Sequence, residues 1–407
     1  MNGYAVTGIG LINGLGSSLE ENWKNLLAGN TAIKEISWPE DNPRKFPKTH
    51  KAITVKTGAP TIIPEFEEMA YGGIAQHWDP CVKIAVKTTE NAIADSGLNS
   101  KNVSVIYSTT GGSTASRAYG SRGLEDGRER ILPRQIIQST LDYISGTICR
   151  LFEFNGLSTS LHAACATGLL SIDYGLKCLE MDPDLDAVVV GGADMPIEAY
   201  QFYYFQNLGA LSLEPAEKAS RPFDKNRSGF VAGEGAGCLV IEPLEKAKAR
   251  GAKIYAVLRG VGTASAGKHD TSPDSAGEAA KLAALRAIKI AGLDTKDIGY
   301  INAHATGTVA GDDVEFYAMR ELFPNTTMVS NKGQIGHTLA GSGIIETIYT
   351  ILALRDQVTP PIANLEDPLD TGMSLPTTAT KINAKYAIKN NFAFSGRSAC
   401  AVIERYI

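Results

Sequence analysis

Short, nearly continuous apolar runs recur along the chain, most of them meeting a glycine: YAVTGIG, VSVIYSTTGG, AVVVGGAD, GCLVIE, IYAVLRGVG, IGYINAHATG and TMVSNKGQIGH. Such runs, β-branched and without strict alternation, predict strands buried on both faces. Between several of them the period changes. In ATGLLSIDYGLKCLEM, Leu169, Ile172, Leu176 and Leu179 recur at steps of three and four, and GEAAKLAALRAIKIAG closes at Gly292; both patterns predict helices. The alternation predicts α/β layers. The charged segment EPLEKAKARGAK, near residues 242–253, reads as a helical connector and the best candidate boundary, dividing the chain into 1–247 and 248–407. On each side a strand ends in a chemically loaded turn, LHAAC in the first half and INAHATG and SNKGQIGHT in the second. Two similar halves whose strand ends face one site are therefore expected. The glycine- and arginine-rich stretch from about residue 110 to 150 matches neither period and reads as an irregular insertion near a binding surface.

Composition narrows the picture. A chain of 407 residues is long enough for two core-forming units. The net charge of −5 arises from interspersed acids and bases, and the absence of a basic stripe with aromatics argues against nucleic-acid binding. Nothing supports membrane binding: MNGYAVTGIG lacks a charged and then apolar leader, and no apolar run approaches the roughly 20 residues of a membrane span. A soluble cytoplasmic protein is expected. The six cysteines (Cys81, Cys149, Cys165, Cys178, Cys238 and Cys400) have no paired spacing, as in a reducing compartment, and neither CxxC nor HExxH occurs. No metal is expected.

The candidate chemistry centres on Cys165, which lies where strand-like sequence gives way to a helix pattern. A sulfur at a helix amino terminus is expected to favour thiolate, and Ala163, Ala164, Ala166 and Gly168 leave space around it. The alternative is a small buried hydrophobe at a packing point. His304 and His337 each occupy a turn of small residues directly after a strand, where a histidine either reaches a ligand or hydrogen-bonds structurally. Lys332 adds a cation, and Glu315 is its expected partner if that cation is buried, since an unpaired buried ammonium is costly. A cysteine, two histidines and a lysine suit carbon–carbon bond formation on thioesters. The thiolate takes an acyl group, and two neutral imidazoles hold the oxygen of a second thioester as it becomes an enolate. The backbone N–H of Cys165 and one from the turn NNFAFSGRSA are candidate oxyanion donors. GIGLINGLG imitates a dinucleotide fingerprint but lacks the following acidic strand end, and GFVAGEGAG reads as a close-packing turn.

With these residues in view, the chain resembles the elongating β-ketoacyl-acyl carrier protein synthases, type II ketosynthases of the thiolase-like superfamily. The likeness runs through VTGIGLINGLG, AACATG, RPFDKNRSGFVAGEGAGCLVIE, GYINAHATGTVAGDDVE, SNKGQIGHTLAGSG, ILALRDQVTPP and NNFAFSGRSA, in that order. It implies an α/β, duplicated thiolase-like fold of five layers, αβαβα, usually dimeric. Cys165 would be the acylated nucleophile; His304 and His337 would support malonyl decarboxylation; Lys332 and Glu315 would match the family's lysine and its glutamate partner. Phe394 would be the gating phenylalanine, its N–H joining that of Cys165 in the oxyanion hole, and Thr306 and Thr308 would contact the phosphopantetheine arm. The resemblance implies acyl carrier protein as partner and no metal or dissociable cofactor. Ala393-Phe394-Ser395-Gly396-Arg397-Ser398 departs from the family's GFGGTN, which predicts altered gating or an unusual acyl pocket. Ala305 replaces a usual glycine. IPEFEEM stands where relatives carry basic docking residues, so carrier docking by arginines near 117–134, or a heterodimer with a synthase-like chain-length partner instead of a homodimer, is a live expectation. A biosynthetic thiolase using Cys400 and a catalytically silent scaffold subunit are the competing readings.

Overall fold

The computed structural model describes residues 3–37, 53–67, 70–111, 133–266, 276–370 and 372–407. The apolar runs become the strands of the main sheet: β1 (Tyr4–Asn13), β2 (Val103–Ser108), β3 (Ser158–Thr159), β4 (Ala187–Asp194) and β5 (Gly235–Pro243), then β6 (Ala256–Ser265), β7 (Ile298–Asn302), β8 (Thr327–Val329), β9 (Tyr386–Ala393) and β10 (Arg397–Arg405). Their spatial order is β8-β7-β9-β10-β6-β1-β5-β4-β2-β3. Read outward from the centre, the first half runs 1-5-4-2-3 and the second 6-10-9-7-8, the same permutation. Directions repeat too: β1–β5, β5–β4, β6–β10 and β10–β9 are antiparallel, while β4–β2, β2–β3, β9–β7 and β7–β8 are parallel. The halves join edge to edge through a short antiparallel contact from Tyr4–Leu258 to Val6–Ala256.

Six helices complete the layers: α1 (Pro80–Ser96), α2 (Tyr143–Phe152), α3 (Thr167–Met181), α4 (Glu278–Ala291), α5 (Val309–Leu322) and α6 (Ala340–Asp356). Helices α1 and α2 cover the outer face of the first half, α4 with α5 on it covers the second, and α3 and α6 lie side by side between the two halves of the sheet. This is the five-layered αβαβα arrangement. The strands are buried on both faces because each sheet is sandwiched, which is why their sequences are continuously apolar. Helix boundaries follow local chemistry: the Asp79 side chain caps α1, Pro80 opens it and Gly97 closes it at φ 60°, while Gly292 closes α4 at φ 70°. The predicted apolar stripe of α3, Leu169, Ile172, Leu176 and Leu179, is buried throughout. Among the described residues, no helix is long and apolar enough to cross a membrane.

The first six residues of GIGLINGLG end strand β1, in keeping with the rejected dinucleotide fingerprint, and its glycines admit α1: a Cβ on Gly8 would stand 2.1 Å from the Ala92 carbonyl oxygen, and one on Gly10 1.8 Å from that of Thr88. One expectation changes. The stretch expected to be irregular is helical at Pro133–Gln138 and in α2, whose Ile144 and Ile148 pack on the first sheet; residues 112–132 lie outside the described residues.

Helices α3 and α6 cross at glycine. A Cβ on Gly343 would lie 2.7 Å from the Leu169 amide nitrogen and 2.8 Å from the Gly168 Cα. Asn391 Oδ1 also stands 2.7 Å away, but the other two obstacles are backbone, so a side chain there must push the helices apart. Gly343→Val is expected to destabilise the protein by at least about 1–3 kcal/mol, the usual range for an overpacked core. Denaturant titration checks this; a midpoint equal to wild type would show that the crossing tolerates separation.

Candidate active site

The two central helices begin at the carboxyl ends of the strands, and the turns before them carry the chemistry. Cys165 immediately precedes the α3 cap residue Ala166, in a turn where Ala164 takes φ 48°, a strained value for a side-chain-bearing residue. Thr167 fixes that turn, its Oγ1 accepting from Ala163 N at 2.9 Å and donating to the Ala164 carbonyl at 2.6 Å. His337 lies in the turn before α6. Its backbone N donates to the Val231 carbonyl at 2.7 Å and its carbonyl accepts from Gly233 N at 3.0 Å, so GFVAGEGAG serves as its backbone support. The result is a contact between Cys165 Sγ and His337 Nε2 of 3.0 Å. Asp194, at the end of β4, locks the base of this arrangement, accepting from Ala340 N at 2.7 Å and from Thr109 Oγ1 at 2.8 Å.

His304 follows β7. Glu315 on α5 accepts from the His304 and Ala305 amides at 2.8 and 2.7 Å, and Asn390 Nδ2 donates to the same carboxylate at 3.0 Å. Asn391 Nδ2 donates to His304 Nδ1 at 3.2 Å, an arrangement that places the ring proton on Nε2. The His304 and His337 rings lie 5.2 Å apart, centre to centre.

Lys332 is fully buried, but its carboxylate partner is Glu346 on α6 at 2.5 Å, a correction to the expected pair with Glu315. The reason is the pleat of β9. Successive residues of a strand point to opposite faces. Asn390 faces Glu315 in the outer layer, whereas Lys389 faces α6, where its Nζ meets the other Glu346 oxygen at 2.6 Å. Glu346 thus sits in the central layer between the ammonium groups of Lys332 and Lys389, and Glu315 pins the His304 turn from outside.

Burial dominates the electrostatics. It pushes the Cys165 thiol up to about 12, with Lys332 pulling the other way. Desolvation, which opposes the thiolate expected at the helix terminus, outweighs the lysine. Burial, followed by Lys332, also holds both imidazoles well below the ordinary histidine value. At neutral pH the site carries a thiol and two neutral imidazoles, and His337 Nε2 is placed to accept the thiol proton. The donor atoms of Cys165, His304 and His337 lie within 4.8 Å of one another, a spacing a metal ion would also accept. The positive charge beneath them opposes a divalent cation and suits an anionic oxygen.

These three residues line a cavity of about 350 Å³ together with Phe394, Thr306 and Thr308. The threonine hydroxyls lie 3.0 Å apart in a turn held by Asp312, which accepts from the Thr306 and Gly307 amides, and by Arg227, which donates to the Thr308 and Val309 carbonyls. NNFAFSGRSA, expected as a turn, is a hairpin of β9 and β10 whose turn proper is Phe394–Gly396. Ala393 there is extended, at φ −133° and ψ 163°, a conformation open to any residue, and Gly396 keeps its glycine at φ 67°. Cys400 is buried in β10 and is not among the cavity's lining residues, and His162 is exposed. Glu346, Lys389, Asn391 and Asp194 are the site residues that sequence reasoning missed. Each left a trace: a lone carboxylate inside IIETIYTILAL, polar residues inside a strand in KNNF, and an acid closing AVVVGGAD.

A turn-borne cysteine facing two neutral histidines, where two duplicated α/β halves meet, defines a thiolase-like condensing site. Residues 2–247 match the family model "Beta-ketoacyl synthase, N-terminal domain" and residues 255–366 match "Beta-ketoacyl synthase, C-terminal domain". The chain is 33% identical over 419 residues to the 3-oxoacyl-[acyl-carrier-protein] synthase 2 of Vibrio harveyi, covering 98% of each. It is 34% identical over 425 residues to the protein of the same name from Rhizobium meliloti (strain 1021), covering 100% of this chain and 99% of that one. Among solved structures, a β-ketoacyl synthase from Burkholderia phymatum STM815 (29% identity) and the ishigamide ketosynthase/chain length factor (27%) each superpose with a TM-score of 0.88 over 100% of both chains. The chain belongs to the β-ketoacyl synthase family and is a condensing enzyme of the acyltransferase class.

Two predictions follow from this geometry. Glu346→Gln leaves two buried ammonium groups facing each other without their anion. A loss of about 3–5 kcal/mol is expected, the usual cost of breaking a buried pair, and denaturant titration measures it; a loss below about 1 kcal/mol would contradict the charge network. Because the thiol titrates far above neutrality, alkylation of Cys165 by iodoacetamide is expected to rise steadily between about pH 7 and 9, close to tenfold per unit. Peptide mass spectrometry reads that rate; a plateau near neutral pH would mark a preformed thiolate instead.

Proposed function

We propose that the chain elongates an acyl group held on Cys165 by decarboxylative Claisen condensation with a malonyl thioester, both substrates arriving on the phosphopantetheine of acyl carrier protein. The observation that carries this reading is the 3.0 Å contact of Cys165 Sγ with His337 Nε2 in a cavity that His304 also lines. In the first step the thiol proton passes to His337 as sulfur attacks the acyl thioester carbon. The oxyanion is held by the N–H groups of Cys165 and Phe394, and the carrier thiol departs with the proton. In the second step the malonyl carboxylate leaves as carbon dioxide, and its electron pair forms an enolate whose oxygen accepts from Nε2–H of His304 and, once the ring proton of His337 has exchanged through solvent from Nδ1 to Nε2, from that of His337 as well. The enolate carbon then attacks the Cys165 thioester. A carbon–carbon bond forms, the carbon–sulfur bond breaks, and the cysteine recovers its proton from solvent, giving β-ketoacyl-carrier protein.

Lys332 and Glu315 support this chemistry indirectly, the first through its charge and the second through the His304 turn. Thr306 and Thr308 receive the phosphopantetheine arm along the cavity. Neither a metal nor a dissociable cofactor enters the steps. The functional unit is a dimer, either of two copies or with a synthase-like chain-length partner, and works in the cytoplasm; the ketosynthase/chain length factor neighbour supports the second form. The side chains at 393, 395, 397 and 398 in place of the family's GFGGTN favour a specialised type II polyketide or polyene substrate over housekeeping fatty acids.

Intact-protein mass spectrometry with a panel of acyl-carrier proteins tests the reading. Wild type is expected to acquire an acyl adduct that malonyl-carrier protein removes as a two-carbon-longer product; Cys165→Ala acquires none. His304→Ala is expected to keep the adduct and lose condensation by about 10²–10³-fold, the effect of removing one oxyanion donor. An adduct that persists in Cys165→Ala, or a His304→Ala enzyme that condenses at the wild-type rate, would contradict the assigned roles.

A further inference from the structure

We propose that Lys389 is a positioning residue for the condensation step, clamping Glu346 from the side opposite Lys332 and holding the turn that carries His304. The proposal rests on the role assigned to His304 above. Lys389 occupies the middle of β9, between Asn302 of β7 and Ala401 of β10, and is fully buried. Besides Glu346, its ammonium donates to the carbonyls of Asn390 at 2.5 Å, Ala303 at 3.2 Å and Asn302 at 3.5 Å. The last two are the residues immediately before His304. The next two residues of the strand serve the same turn, Asn390 through Glu315 and Asn391 through His304 Nδ1. Three consecutive side chains of one strand therefore converge on one histidine.

A lysine is an expensive way to fill that space. Buried charges are rare, and a well-packed apolar residue commonly stabilises a core at least as well. The charge count indicates what the ammonium supplies. Lys332 and Glu346 alone form a neutral pair whose field at the imidazoles largely cancels; Lys389 adds a second positive charge that acts on both rings, while Glu315, the other carboxylate it faces, lies on the backbone side of the His304 turn. His304 faces Lys332, His337 and Lys389, with Glu315 on its backbone; His337 faces Lys332, Lys389 and Cys165. Lys389 itself faces Glu346, Lys332, Glu315 and Cys400. Positive charge at this position disfavours imidazolium, so both histidines remain neutral Nε2–H donors into acid, the form that an enolate requires.

The test is the pH dependence of malonyl-carrier decarboxylation, measured beside Cys165 acylation at about pH 8, for the whole enzyme with Lys389→Met and Lys389→Arg. Removing a cation lets the imidazoles protonate more easily, so the acidic limb of decarboxylation in Lys389→Met is expected to move to higher pH by about one unit, a tenfold change in proton concentration. Acylation should stay within about threefold, and Lys389→Arg should retain the wild-type limb. Lys389→Gln, which still donates to the carbonyls, replaces the Met variant if that one does not fold. An unmoved limb in a folded neutral variant, or equal loss of acylation and decarboxylation at every pH, would overturn the proposal. A wild-type enzyme that fails to decarboxylate malonyl-carrier protein would instead overturn the reaction on which the proposal rests.

Discussion

The glycine crossing of α3 and α6 is the constraint on which the site depends. With Gly168 against Gly343, the helices approach until backbone meets backbone, and their amino termini open side by side. The turn before one holds Cys165 and the turn before the other holds His337, so the sulfur–imidazole contact between residues 172 positions apart follows from how closely two helices pack. Strain collects at the same place: Ala164 at φ 48° and Leu339 at φ 47° both precede these helices. Such backbone persists only where its surroundings over-determine it, and here Thr167, Asp194 and the 231–233 segment do so.

The close crossing also buries the groups at the centre, and the electrostatics follow from that. Burial disfavours the charged form of each imidazole and of the thiol. Desolvation alone accounts for the direction of all three shifts. The ammonium groups on Glu346 act unequally: both reinforce the neutral histidines, and Lys332 also opposes the raised thiol. The same positive charge would serve each anion of the proposed reaction, first the thiolate on its way to the thioester and then the enolate.

Much of this was legible from residues alone, for physical reasons that differ by element. Strands β1, β2, β4 and β5 announced themselves because a sheet covered on both faces demands continuous apolar sequence, and α3 because one of its faces is apolar at helical spacing. Cys165, His304 and His337 stood out because each turn consists of small residues that leave a side chain room to act. Helix α6 did not stand out: residues 340–354 are buried on every side, so its sequence carries no period. Glu346 was obscured with it, and Glu315 was paired with Lys332 instead, although Glu346 lies nearer to it in sequence. The supporting role of KNNF was illegible for another reason, since polar residues in a strand ordinarily face solvent, and only the sheet order places β9 beside β7.

The two supports of His304 come from opposite faces of β9, and this answers a difficulty in using one strand to hold one ring. A single layer of contacts fixes a turn against movement in one direction only. Glu315 and Asn390 hold the backbone of residues 304 and 305 from the outer layer, while Lys389 and Asn391 hold the carbonyl of 303 and the ring from the inner one. Because the pleat alternates, a run of three polar residues is the shortest stretch of strand that reaches both faces and returns to the first. That requirement explains why polar residues interrupt an otherwise apolar strand here, at the point where β9 passes the end of β7.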